Sequence, residues 1–245
     1  MHVDTSAVGH PEAPATIFLV IGVGTGVRAS NLLAMRRWIA LAALVMVTAC
    51  NQPGAAVIGV ADVAVQSGDL PKGVQKCSAS GDIESFLNTV KSKDPTTYAS
   101  TKAEWDKAKS NGATSAEVVF YTDSKAHCDS ITNSQNSDLA SAAYPIVINF
   151  VIKFKDQTSA EKGYTTESIF GFSESTITST AAAGVTKGTA TGLGTNSVTL
   201  LIAIANQSFF VAVWQNKTFM VILAVINIDT TQSKKVASNE NSRIK

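Results

Sequence analysis

The sequence predicts an α+β fold, with one antiparallel β-sheet of about five strands and helices packed on it in a single domain. Three observations lead there. Ile83, Phe86, Leu87 and Val90 fall at i, i+3, i+4 and i+7, which is one face of a helix. Three apolar, strand-like runs close the chain at 197–205, 208–215 and 218–228. Their connections, Asn206-Gln207 and Asn216-Lys217, are so short that only antiparallel hairpins satisfy them. Helices lead and strands gather later, the order of an α+β chain rather than a βαβ alternation.

The elements follow in order. Ser80 or Asp82 caps the first helix. Asp94-Pro95 reads as the cap and first turn of a second. This helix carries Tyr98 and Trp105 on one face and ends at Asn111-Gly112. Residues 116–122 read as a strand. Asp123 opens a third, short helix bearing Cys128 and Ile131, and the polar run 133–138 reads as a loop. Residues 144–154 are almost continuously apolar and β-branched, a strong strand. A helix opens near Thr158 and carries Ala160 and Tyr164. The stretches 167–172 and 174–180 read as further strands, and 184–194, rich in glycine and threonine, as a turn region. Phe209 to Trp214 is apolar on both faces, so this strand should be central and covered on both sides. A last helix from Asp229 carries Val236 and Ile244.

Upstream, residues 35–50 read Met-Arg-Arg-Trp-Ile-Ala-Leu-Ala-Ala-Leu-Val-Met-Val-Thr-Ala-Cys. The apolar core from Trp38 to Val47 is about 10 residues long, within the range of a signal h-region. It is half of what a membrane span needs. By itself the run also suits an ordinary secretory signal or a buried helix. With Arg36 and Arg37 before it and small Ala49 after it, the segment resembles a bacterial lipoprotein signal peptide, with Val47-Thr48-Ala49-Cys50 as the lipobox. The resemblance implies that Cys50 is acylated, palmitate included, and is the first mature residue. It also implies a lipid anchor in the cell membrane, on its extracytoplasmic face, with the bilayer as partner. Met35 is then the start and residues 1–34 are an over-extended N-terminus. Residues 35–49 form the signal peptide, 50–72 a tether of low order, and 73–245 the extracytoplasmic domain. Gly22-Val23-Gly24-Thr25-Gly26 lacks the third glycine of a dinucleotide-binding loop, and no βαβ unit follows it.

The chain has three cysteines. With Cys50 acylated, Cys77 and Cys128 remain as one pair, and exported domains use such pairs as disulfides. Closing a loop of about 50 residues stabilises by roughly 4 kcal/mol on the chain-entropy model. Two buried free thiols are the alternative. No CxxC spacing exists, so no metal site is expected.

The net charge of +1 argues against a nucleic-acid binder. His127 is the only histidine after the signal, and it lies beside Cys128, so a triad lacks a free base and no catalytic residue is expected. Glu84, Glu104, Glu117 and Asp123 could supply the paired acids of a glycosidase. They sit where solvated faces and caps place acids. The expectation is therefore a non-enzymatic module that binds an unidentified small molecule or envelope protein, without a cofactor. Trp214, Phe210 and Tyr164 are the candidate ligand contacts, and the loop 173–196 is the other candidate position. A hydrolase of cell-wall or glycan material is the alternative, and a purely structural envelope component a third reading. Trp105 and Trp214 also suit a core.

The Gly192-Leu193-Gly194 turn, the strand Phe210-Val-Ala-Val-Trp214-Gln-Asn216 and the terminal Arg243-Ile244 carry a second resemblance. Residues 145–245 resemble the C-terminal half of several envelope lipoprotein families. They are also similar to the extracellular sensor domains of mycobacterial serine/threonine kinases. The resemblance implies an extracytoplasmic fold that ends in a strand pair and a helix. Those domains use two disulfides, where this chain has one cysteine pair.

Overall fold

A computed structural model of the protein describes residues 58–132, 141–166, 172–180, 183–204 and 206–245. Cys50, with the whole signal segment and the strand expected over most of 167–172, lies outside them. In chain order the elements are α1 (Val60–Val63), a 3-10 turn (Ser67–Asp69), β1 (Gln75–Lys76), β2 (Gly81–Asp82), α2 (Ile83–Lys93) and α3 (Pro95–Ser110). Then come β3 (Ala113–Thr122), α4 (Lys125–Ile131), β4 (Ile146–Phe154), α5 (Gln157–Thr166), α6 (Glu174–Thr180) and β5 (Val185–Lys187). A second 3-10 turn (Gly188–Thr191), β6 (Ser197–Ile204), β7 (Gln207–Asn216), β8 (Phe219–Ile226) and α7 (Thr230–Arg243) complete the fold.

The α+β class is as the sequence predicts. The sheet is antiparallel at every pairing and runs β1-β3-β4-β8-β7-β6-β5, with β2 also on β3. It has eight strands rather than about five. The additional ones, β1, β2 and β5, are two or three residues long, too short to show an alternation in sequence.

Both faces are covered. On one, Val118, Phe120, Phe150, Ile152, Met220 and Val213 pack under α2, α3, α5 and α6. Asp82 caps α2 by accepting from the N–H groups of Glu84 and Ser85. Asp94 caps α3 by accepting from Thr97, with Pro95 in the first turn. Cys77 and Cys128 form a disulfide that ties α4 to the segment ahead of α2. The cap of α4 is Ser124, which accepts from His127 N–H, rather than Asp123, whose carboxylate is taken by the His127 ring.

Glu174 to Thr180 is a helix, not a strand. Its threonines and Ile177 have strand-like composition, but Ser173 Oγ accepts from Thr176 N–H and starts a helical turn. Ile177 alone among its described side chains is buried, so no helical stripe was visible.

On the second face lie Val119, Tyr121, Val147, Val151, Phe210, Trp214, Val221 and Leu223. Two elements cover it. One is α7, through Val236, Ala237 and Glu240. The other is the segment 58–70, expected as a loosely ordered tether. Val63, Val65 and Leu70 are instead buried there. This strap is fastened by side chains far away in sequence. Arg243 donates from Nε to Val63 O at 3.0 Å and from Nη2 to Ala64 O at 3.0 Å, and Nη2 pairs with Asp69 Oδ2 at 3.0 Å. Asn239 and Gln232 also donate to Asp69, at its Oδ1 and its backbone carbonyl. Tyr121 OH donates to Val65 O, and Val65 N–H donates to Asn149 Oδ1. Asn149 Nδ2 in turn donates to Glu240 Oε1 at 2.9 Å.

Candidate functional site: a threonine-lined groove beside the C-terminal helix

Strand register places Thr186, Thr199 and Ala212 in one row across β5, β6 and β7, with Leu201 opposite Phe210 in the next. All of these belong to the second face. There α7 lies over β7 and β8 but not over β5, which leaves a strip of sheet beside the helix. The turn Gly188–Thr191 and the following Leu193 rise on the far side of this strip. Between them is a groove of about 440 Å³. Thr186, Thr199 and Phe210 form its floor, Lys234, Ala237 and Ser238 one wall, and Thr189 to Leu193 the other. The backbone holds the turn wall in place. Gly192 ends the 3-10 turn with φ +79°, a conformation that glycine adopts without penalty. Thr191 Oγ1 donates to Gly188 O and accepts from Leu193 N–H, so it is part of the wall rather than a ligand contact. Gly184, φ +85°, presses so close to the Leu201 carbonyl that a Cβ would collide with it. Its own carbonyl accepts from Leu201 N–H at 2.9 Å, which closes the strip where β5 begins.

The hydroxyls of Thr186, Thr189 and Thr199 have no hydrogen-bond partner among the described residues, and Thr199 is 9 % exposed. Hydroxyls donate and accept, and the Lys234 ammonium donates. The described lining holds no carboxylate, imidazole or thiol. This arrangement can hold a small hydroxylated or anionic molecule. The volume is in the lower part of the range of ligand sites.

Of the expected ligand contacts, only Phe210 lines this groove. Trp214 lies on the same face, fully buried, with no acceptor for its indole N–H among the described residues. Tyr164 is buried on the opposite face, in the layer of α5. Burial, then the Glu174 carboxylate, hold its phenol well above the usual tyrosine range. The three residues therefore do not line a common pocket: the sheet separates Tyr164 from the other two, and Trp214 is core. The loop 173–196 does contribute, through Thr186 and the wall 189–193.

The candidate acids are scattered. Glu84 accepts from Trp105 Nε1 at 2.9 Å. Asp123 is held by His127, whose ring stacks on Tyr144 at 3.6 Å between centroids. This contact with His127 lowers the Asp123 pKa. Glu117 and Asp82 sit opposite each other across β2 and β3. Burial pushes Glu117 up, while hydrogen bonds from Ser85 hold Asp82 down. Such a split suits acid–base pairs, but Asp82 is consumed as a helix cap. Neither residue lines the groove. Nor do they line two further clefts, of about 550 and 780 Å³, that share Asn227 to Asp229 at one end of the sheet. Among the described residues no group of acids, histidines and cysteines has the geometry of a metal site, and no helix is long and apolar enough to cross a membrane.

Sequence reasoning missed Lys234 and the three open threonines. Thr186 and Thr189 stand in a run that reads as a turn, and only strand register brings Thr199 beside them.

No family model matches the chain, and no curated protein matches it. Among solved structures, the chain is similar to the extracellular domain of PknH from Mycobacterium tuberculosis, with 10% identity and a TM-score of 0.40. The match covers 76% of this chain and 94% of that domain.

Proposed function

We propose that the protein is a non-enzymatic binding domain, held on the extracytoplasmic face of a membrane by a lipid on Cys50, with the threonine-lined groove as its ligand site. One observation carries the binding reading. Three hydroxyls and an ammonium converge on a cavity whose described lining holds no carboxylate, imidazole or thiol to activate them. Thr186, Thr189 and Lys234 are exposed and Thr199 lies on the groove floor, so these donors and acceptors are open to an incoming molecule. The anchor reading is supported by the lipobox-like run 47–50 and by the disulfide, which suits an oxidising compartment.

Native mass spectrometry of the protein extracted from membranes in mild detergent tests both parts. The intact mass should show an acylated chain beginning at Cys50. A bound small molecule should be present in the wild type and lost in a Thr199→Val, Lys234→Ala variant. A ligand retained by that variant would move the site elsewhere. A chain of unmodified mass would remove the anchor.

A further inference from the structure

A carboxyl group stands behind the fastening of the strap. Glu240 is fully buried, and its Oε2 has no hydrogen-bond partner among the described residues. Its Oε1 accepts from Asn149 Nδ2 at 2.9 Å. Asn149 in turn holds the middle of the strap, because its Oδ1 accepts from Val65 N–H at 3.0 Å. One helical turn beyond Glu240, Arg243 holds the strap by Val63 O, Ala64 O and Asp69. The carboxyl is thus joined directly to one polar fastening and lies a turn from the other.

Each neighbouring element brings its own charges. On α7, Lys234 and Lys235 are exposed and more than a turn away. The 3-10 turn brings Asp69, paired with Arg243, and α1 brings Asp62, exposed and accepting from Gly59 N–H. From β3 come Tyr121, whose OH donates to Val65 O, and Glu117, paired with Lys76 at 3.8 Å. From β4 comes Lys153, which donates to Ile58 O. Strands β7 and β8 carry no ionisable side chain. Of all these charges, Arg243 and Asp69 act on Glu240, with opposite signs.

A neutral carboxyl in this place leaves one polar atom unmet, whereas a carboxylate buried without a second partner is far costlier. Such a charge can be met in two ways. Arg243 can turn to it, and so leave Asp69 and the carbonyls of Val63 and Ala64. Alternatively water can reach it, and the strap is the less firmly held of the two covering elements. The strap buries Val63, Ala64, Val65 and Leu70, whereas the 14-residue α7 is also tied to β7 by Asn216 Nδ2 donating to Asn241 Oδ1. Both ways undo the strap.

From this juxtaposition we propose that Glu240 is a proton-operated latch for the strap. With the carboxyl protonated, residues 58–70 stay closed on the sheet. Loss of the proton opens them while the sheet and α7 remain folded. The sign follows from linkage. Burial holds the Glu240 pKa of the closed form well above the ordinary value of 4.5, which the open form regains. Opening therefore grows as pH rises from the lower value to the higher, and levels off beyond it. Within that window each pH unit raises the open population by up to about tenfold.

Hydrogen exchange of the full chain tests the latch, read at the Val65 N–H and at Val221 in the centre of β8. Glu240→Gln, measured at the same pH values, serves as the reference that carries no titrating group at this position. The ratio of Val65 exchange in the wild type to that in the variant should climb several-fold per pH unit, while Val221 stays protected far longer than Val65 throughout. A flat ratio overturns the latch. So does joint exchange of Val65 and Val221, which would make the proton a matter of global stability alone. Infrared spectra of the wild type give a second reading that does not depend on the variant folding. The band of the protonated carboxyl should vanish over the pH range in which Val65 protection falls. A carboxyl that ionises while that protection holds would be charged beneath a closed strap, and the proposal would be wrong.

Discussion

One face of the sheet is finished in two different ways. Over β3, β4 and β8 it is fastened: the strap and α7 close on it, and most polar groups brought inside are spent on one another, with Glu240 Oε2 an exception. Arg243, Asp69, Asn239, Asn149 and Tyr121 all act in this fastening. Over β5 and β6 the same face is left open, and Thr186 and Thr199 keep their hydroxyls unspent. Leu201, in the next row, is 36 % exposed. Polarity on this face thus has two settings: buried and largely paired under the strap, and open at the groove, where Thr186 is exposed. A largely satisfied network holds elements together, whereas hydroxyls open to a groove are free to meet a molecule from outside.

The largest effect is expected from breaking the fastened side. Arg243→Ala leaves the Asp69 carboxylate, with a side chain only 9 % exposed, without its cation. Removing one partner of such a pair costs about 3 kcal/mol. Urea unfolding should show the loss, and limited proteolysis should begin to cut within residues 58–70. Unchanged protection of the strap would show that its apolar side chains suffice.

A pH series sharpens the same region. Glu240 is fully buried, and its pKa is pushed well above the ordinary glutamate value by that burial, against the lowering effect of Asn149 and Arg243. The native state therefore holds a proton that the unfolded chain releases above about pH 4.5. Stability falls as pH rises from there through the folded pKa, by at most about 1.4 kcal/mol per pH unit. Glu240→Gln carries no such proton, so its urea midpoint should gain on the wild type between pH 5 and pH 8. Parallel curves would mean that Glu240 ionises in place.

A smaller change is expected at Trp214. Phenylalanine there removes the unpartnered indole N–H along with some packing area, and the two effects oppose. The net should stay within about 1.5 kcal/mol. The smallest belongs to the open side. Thr199→Val should alter stability by less than about 0.5 kcal/mol while weakening ligand binding. A stability loss comparable to that of Arg243→Ala would make Thr199 part of the fastening and erase the distinction.

Much of the scaffold was legible because its signals are local. The caps Asp82, Asp94 and Asp229 stand at the starts of their helices, and the apolar runs of β4, β6, β7 and β8 announce themselves. The strap was not legible. Val63 and Val65 sit among alanines and glycines, and what buries them is a helix whose Arg243 lies 180 residues from Val63. The groove was half legible. The 173–196 stretch pointed to it, but the aromatic residues that drew attention, Trp214 and Tyr164, are filling on opposite sides of the sheet. Hydroxyls that converge through register carry no mark in the linear sequence.

The strap also sets a clock. Its contacts to α7 join residues 163 to 180 positions apart, and such closures come late because loop entropy must be spent before they repay it. Elements α2 and α3 can form early from near neighbours, while this face stays unsealed until α7 has been made and docked.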